Sequence, residues 1–265
     1  MLDIDQIVSF YPEYLRPFKR NLLREYLQYK IIEAVFDSQY GERLAFMGGT
    51  AIHMVHANAR FSEDLDFDKL GLDRDGFSQL AAQVKRRLVL EGCAAETKVV
   101  FRGAYHCHVS IADILFASGL SGHKNEKLLI SVDAEPQHFQ YRRDAVILNK
   151  FDLLMRIGVV PPDILLAQKL VAILKRKRTM GRDLYDTLFL FGKTKPNFEY
   201  LKQKADICDM AQLKKALLKK FKGLDLKKLI RDLEQFLFLP DDAKKILLLP
   251  EYVRGLEASP VDGRK

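Results

Sequence analysis

From Pro12 to Phe36 the apolar positions Leu15, Phe18, Leu22, Tyr26 and Leu27 recur at three- and four-residue spacing, and Ile31, Val35 and Phe36 continue the stripe. That period predicts a long amphipathic helix. The short apolar run Leu44-Ala45-Phe46-Met47 stops at Gly48-Gly49, as a buried strand does on entering a tight turn. Thr50 to Ala57 follows as a helix with Thr50 as its N-cap. Ser62 to Lys69 reads as a strand, and Asp75 to Glu91 as a helix with Phe77, Leu80, Ala81, Val84 and Leu88 on one face. Lys98 to Arg102, Tyr105 to Ala112 and Lys127 to Asp133 read as further strands. Beyond about residue 150 the pattern turns helical. A helix over 163–178 opens at Pro161-Pro162 with Asp163 as cap, and a second over 182–191 follows a hinge at Met180-Gly181. Helices at 198–206, 210–222, 225–237 and 240–248 complete the series, and EASPVDGRK reads as a frayed tail. The class expected is therefore α/β (α+β), with an α/β domain over 1–150 and an all-helical lobe over 151–265.

About half of the 265 residues are apolar (48%), enough for a substantial core. No apolar run approaches the roughly 18 to 20 residues of a membrane helix, so no membrane is expected as a partner. The first residues, MLDIDQIVSF, lack the pattern of a secretory signal. Cys93, Cys107 and Cys208 are scattered and odd in number, which argues against a disulfide framework and fits a reducing cytoplasm. A formal charge of +8 suggests a polyanionic partner.

The chemistry centres on FMGGTAIHMVHANARFSEDLDFDKL. Alternate side chains of a strand share a face, so Asp64, Asp66 and Asp68 line one side, with Leu65 and Phe67 on the other. Aspartate is a poor strand former, and like charges on one face repel. Divalent cations relieve that repulsion, and magnesium favours carboxylate oxygens together with substrate phosphates. Gly48 and Gly49 let a triphosphate approach the backbone, and the following helix aims its free N–H groups at it. A third carboxylate is expected on a neighbouring strand, where KLLISVDAEP offers Asp133, with Glu135 as the alternative.

A second constellation lies in ILLAQKLVAILKRKRTMGRDLYDTLFLF. Lys169 and Arg176 share one helix face, and Asp183 and Asp186 share another. The lysine suits a triphosphate or the departing pyrophosphate. The acids suit orienting that lysine or Arg182, or binding an acceptor hydroxyl. The two imidazoles of His106-Cys107-His108 share a strand face without a second ligand pair of zinc spacing, and are read as structural. Residues 214–231 hold eight Lys/Arg and one Asp among interleaved leucines, either a solvated face or a backbone-binding surface.

Together these segments resemble the AbiEii toxin family of nucleotidyltransferases, within the DNA-polymerase-β-like superfamily. The matching residues are Gly48-Gly49-Thr50-Ala51, Arg60 to Phe67, Lys169-Leu170, the basic run Lys175 to Arg178, and Arg182-Asp183-Leu184-Tyr185-Asp186. Gln168 departs from the family's pattern, which has an acid before the lysine. The resemblance implies a mixed sheet with flanking helices that carries the metal acids, and a helical lobe that carries the lysine. It implies Asp64 and Asp66 as ligands of magnesium or manganese, beside a third acid that the strand pattern assigns to Asp133 or Glu135, with Lys169 at the triphosphate and one of Asp183 or Asp186 completing the catalytic set. Gly48, Gly49, Thr50, Arg60, Ser62, Arg176 and Arg182 would hold the substrates. The partners implied are an NTP such as ATP, an RNA acceptor (the 3′ end of tRNA), and a cognate antitoxin. The active site is expected between the two halves.

Overall fold

The computed structural model describes residues 1–256; the tail expected over 257–265 lies outside them. The described residues form two compact units. The first comprises 1–57 and 61–160, the second 58–60 and 161–256. In chain order the first holds α1 (Ile4–Ser9), α2 (Lys19–Phe36), β1 (Leu44–Met47), α3 (Gly48–His56), β2 (Leu65–Lys69), α4 (Arg74–Leu90), β3 (Ala94–Arg102), β4 (Ala104–Ala112), α5 (Ile114–Ala117), β5 (Leu128–Glu135), β6 (Asp144–Lys150) and β7 (Leu153–Val159). The second holds α6 (Pro162–Lys175), α7 (Gly181–Phe191), α8 (Phe198–Ala205), α9 (Met210–Phe221), α10 (Leu226–Glu234), a 3-10 stretch (Pro240–Leu248) and α11 (Leu249–Gly255).

The expected mixed α/β fold is present. A seven-stranded sheet runs β3-β4-β5-β2-β1-β7-β6. Only β1 with β7 and β2 with β5 pair in parallel. One face is apolar: Phe67 meets Phe36 of α2, and Tyr105 and Phe101 meet Phe77 of α4. The side chains of Asp66, Asp133 and His106 occupy register positions one residue away on their strands, so they share the opposite face.

The sequence reading differs at several element boundaries. The helix expected from Pro12 begins at Lys19, because Glu13–Leu15 turns off as a separate 3-10 segment. The strand expected from Ser62 begins at Leu65. The β6–β7 hairpin was unforeseen, and because β7 pairs with β1 the helical run starts at Pro162 rather than near 150. Asp163 does not cap α6: Pro161 is the N-cap, and the Asp163 carboxylate accepts from Asn197 Nδ2 at 2.8 Å.

In the helical unit Leu213, Leu217, Phe221, Leu229 and Leu233 point inward. Lys215, Lys219, Lys222, Lys227, Lys228 and Arg231 stay exposed. Gly181 opens α7 where an added Cβ would stand 2.5 Å from the Leu229 carbonyl oxygen. The close approach of α10 therefore requires a glycine there. No helix among the described residues is long and apolar enough to cross a membrane.

Candidate active site

The glycine turn joins β1 directly to α3. Gly48 has φ +76°, and a Cβ on it would lie 2.2 Å from Asp66 Oδ2 and 2.8 Å from Asp66 Cγ. The carboxylate of Asp66 thus fills the space that any other residue at 48 would occupy. The register explains why, since Met47 pairs with Asp66. Gly48→Ala combines a left-handed backbone with this overlap. It is expected to cost about 1–3 kcal/mol and to displace Asp66, read as a lower urea midpoint together with lost transfer.

No side chain caps α3, whose N-cap is Met47, which leaves its first N–H groups for an anion. Thr50 is not the cap. It is fully buried in the first turn, and its hydroxyl donates to the Asp64 carbonyl. Any substrate contact by Thr50 is left to its backbone. On the other side, Gln28 Nε2 donates to the carbonyls of Ser62 (3.1 Å) and Glu63 (2.9 Å). Residues 62–64 are therefore held from two helices, ahead of the acidic strand. Gln28 was missed in the sequence, although a glutamine between Leu27 and Tyr29 inside an apolar stripe was its signal.

The three aspartates differ in setting. Asp64 is exposed and precedes β2, while Asp66 is half-buried on it. Asp68 is buried and accepts from the Gln137 N–H at 2.8 Å and the Tyr141 hydroxyl at 2.7 Å, a structural role. Of the two candidates for the third acid, Asp133 stands in register with Asp66, whereas the exposed Glu135 is in register with buried Asp68. His106 Nδ1 donates to Asp133 Oδ1 at 2.9 Å. Burial, with the Asp133 charge adding to it, pushes the Cys107 thiol up to about 12. Burial, with Glu91 adding, holds Cys93 at about 11, so both thiols are poor nucleophiles.

Beneath α3 lies a buried cluster that the sequence did not suggest. Glu25 of α2 pairs with His53 Nε2 of α3 at 3.1 Å and with Lys150 Nζ of β6 at 2.6 Å. Burial alone would raise the Glu25 carboxyl, but the charges of His53 and Lys150 outweigh it and hold it at about 2. The cluster ties α3 to α2 and to the sheet.

In the helical unit α6 and α7 bring the second constellation together. Lys169 Nζ lies 3.1 Å from Asp183 Oδ1 and 2.9 Å from Asp186 Oδ2. Arg176 Nη1 reaches Asp183 Oδ2 at 2.6 Å while remaining largely exposed. Arg60 was expected at the substrate. It is instead 2% exposed, and its Nε and Nη2 donate to the two oxygens of Asp186 at 2.6 and 2.7 Å. Asn58 Nδ2 adds a bond of 2.8 Å to Asp186 Oδ1. This explains why 58–60 belong to the helical unit. Burial would raise the Asp186 carboxyl, but Arg60 and Lys169 hold it at about 2. Burial pulls the Lys169 ammonium down, and Asp186 and Asp183 more than reverse that. Arg182 lies over the Phe236 ring at 4.6 Å.

The strand–Gly-Gly–helix turn is thus pressed against an acidic strand in a mixed sheet, the arrangement expected of a nucleotidyltransferase fold. The sequence model of the family described as "Nucleotidyl transferase AbiEii toxin, Type IV TA system" matches residues 30–247, and the chain belongs to that family. It is thus a nucleotidyltransferase of a toxin–antitoxin family, for which an NTP substrate and a cognate antitoxin are implied. The crystal structure of JHP933 from Helicobacter pylori is 20% identical, covering 88% of this chain and 91% of its own, with a TM-score of 0.54. A second H. pylori protein, named as a candidate nucleotidyltransferase, is 21% identical over 90% of this chain and 98% of its own, with a TM-score of 0.56. These two show the fold. No curated protein matches the sequence.

Proposed function

We propose that the chain moves a nucleoside monophosphate from an NTP onto the 3′-hydroxyl of an RNA, tRNA being the expected class, with magnesium or manganese as cofactor. The observation that carries this reading is the carboxylate of Asp66 lodged where Gly48 lacks a side chain, beside the uncapped start of α3. Anion-binding N–H groups and metal-binding oxygens thereby meet in one turn. Asp64, Asp66 and Asp133 suit a hard cation that takes its remaining ligands from phosphate. Among the described residues no three His, Cys, Asp or Glu side chains converge to hold an ion unaided, and substrate oxygens fit that need. When bound, such ions supply activation of a hydroxyl and neutralisation of triphosphate charge.

The chain's own groups do the positioning. The backbone at Gly48-Gly49 and the first turn of α3 take the phosphates. Lys169 has three N–H donors. Asp183 and Asp186 engage two of them and fix the ammonium. The exposed run Lys175 to Arg178 and the lysines of α9 and α10 suit a phosphate backbone.

Labelled NTPs incubated with total RNA, with and without magnesium, should place label in RNA. Periodate oxidation of the RNA terminus should abolish it. Equal labelling of oxidised RNA would rule out the 3′-hydroxyl. Label in protein would make the enzyme a protein-modifying transferase, and no label anywhere would make the chain a binding module. RNA affinity should fall steeply with salt. Lys175→Glu with Lys177→Glu, both outside the ion-pair network, should flatten the log–log slope by about 0.7 per lost contact.

A further inference from the structure

Beyond β2 the polar face of the sheet continues across β5, β4 and β3, where Ser131 and Asp133, His106 and His108, and Lys98 and Val100 follow in register. His106 is half-buried there and His108 exposed. The two imidazoles are parallel, 5° apart in plane, with centroids 6.4 Å apart. Their common orientation has a cause in the neighbouring strand. His106 Nδ1 is bonded to Asp133 Oδ1 at 2.9 Å, and His108 Nδ1 lies 3.3 Å from Ser131 Oγ. Each ring is thus turned edge-on to its register partner on β5, and the backbone of Cys107 floors the gap between them.

The gap is close to twice the stacking distance of bases, about 3.4 Å. It suits one flat aromatic ring inserted between them. Histidine is among the side chains on which unstacked bases rest, and such stacking tolerates any base. His106 also stands two strands from Asp66, a distance of about 10 Å at the usual strand spacing. We propose that His106 and His108 form a slot for a single unstacked nucleobase beside the acidic strand. It belongs either to the NTP or to the RNA terminus, and this choice of ligand rests on the nucleotidyl-transfer reading above.

The test uses the full chain and two fluorescent probes whose emission is quenched by stacking: 2-aminopurine riboside triphosphate, and an RNA oligonucleotide ending in 2-aminopurine. One of the two should be quenched on binding, which identifies the source of the base. His108→Ala, remote from Asp66 and Asp133 contacts, should weaken that binding about 10- to 100-fold, and His108→Phe should restore it. The slot is overturned if neither probe is quenched, if His108→Ala binds as the natural chain does, or if His108→Phe is as weak as His108→Ala. If the RNA probe is quenched yet gains no nucleotide from NTP and magnesium, the acceptor reading fails while the slot stands. If RNA is extended but His108→Ala binds normally, the slot fails and the acceptor reading stands.

Discussion

Asp66→Asn is expected to lower nucleotidyl transfer by about 10³-fold or more, with almost no change in stability. Asparagine keeps the shape of the side chain, so the fit against Gly48, where a Cβ would lie 2.2 Å from Oδ2, is preserved. What is lost is the negative charge, and with it the affinity for a hard cation. One lost charge-stabilising contact typically costs 10²–10³ in turnover, and loss of a metal ligand at the reacting phosphate should exceed that. Asp66 and Asp133 are register neighbours on parallel strands. Like charges so placed destabilise a sheet by about 0.2–1 kcal/mol, so neutralising one should leave the urea midpoint unchanged or slightly higher. Single-turnover labelling beside a denaturation curve measures both. Turnover at the natural rate in Asp66→Asn would remove Asp66 from the site.

Asp186→Asn is expected to lower stability by about 3–5 kcal/mol, the usual cost of breaking a buried ion pair from one side. Asp186 is 0% exposed in its side chain and accepts from Asn58, both faces of the Arg60 fork, and Lys169. Asparagine would leave two buried cations facing an amide. A double variant, Arg60→Met with Asp186→Leu, should regain much of the loss, because the charges are then removed together. The same carboxylate should appear in the acid limb. Its folded pKa of about 2 lies below the ordinary 3.8, so its contribution is complete above that ordinary value. It is lost as pH falls toward 2. Stability of the natural chain between pH 4 and 2 should therefore drop more steeply than that of Asp186→Asn. Parallel curves would show that the carboxylate is not held by its cations.

The sheet and its surroundings were legible to different degrees. Helices α4, α6 and α7 followed from apolar spacing, because a helix that buries one face must repeat at its own period. β6 and β7 do not stand out in the sequence, although Leu148, Leu153, Met155 and Ile157 are buried in alternation. The exposed Ile147 and Leu154 on the hairpin's other face blur that alternation. Propensity alone makes Thr50 a cap, because it ignores a partner fourteen residues away.

Local order and spacing alone determined the glycine turn before the acidic strand, the lysine ahead of the RDxxD segment, and the family those imply. These are short-range patterns, and chemistry that needs backbone approach, negative charge and a fixed cation leaves them in the chain. Tertiary structure decided which partner each charged group takes. Arg60 and Asp186 are 126 residues apart, and nothing local marks one as the counter-ion of the other. Asp133 became the acid aligned with Asp66, and His106 its neighbour, only through the pairing of β2, β5 and β4. Periodicity states which face of an element is buried, but not which distant element covers it. A charge taken out of water must find its opposite wherever the packing brings one.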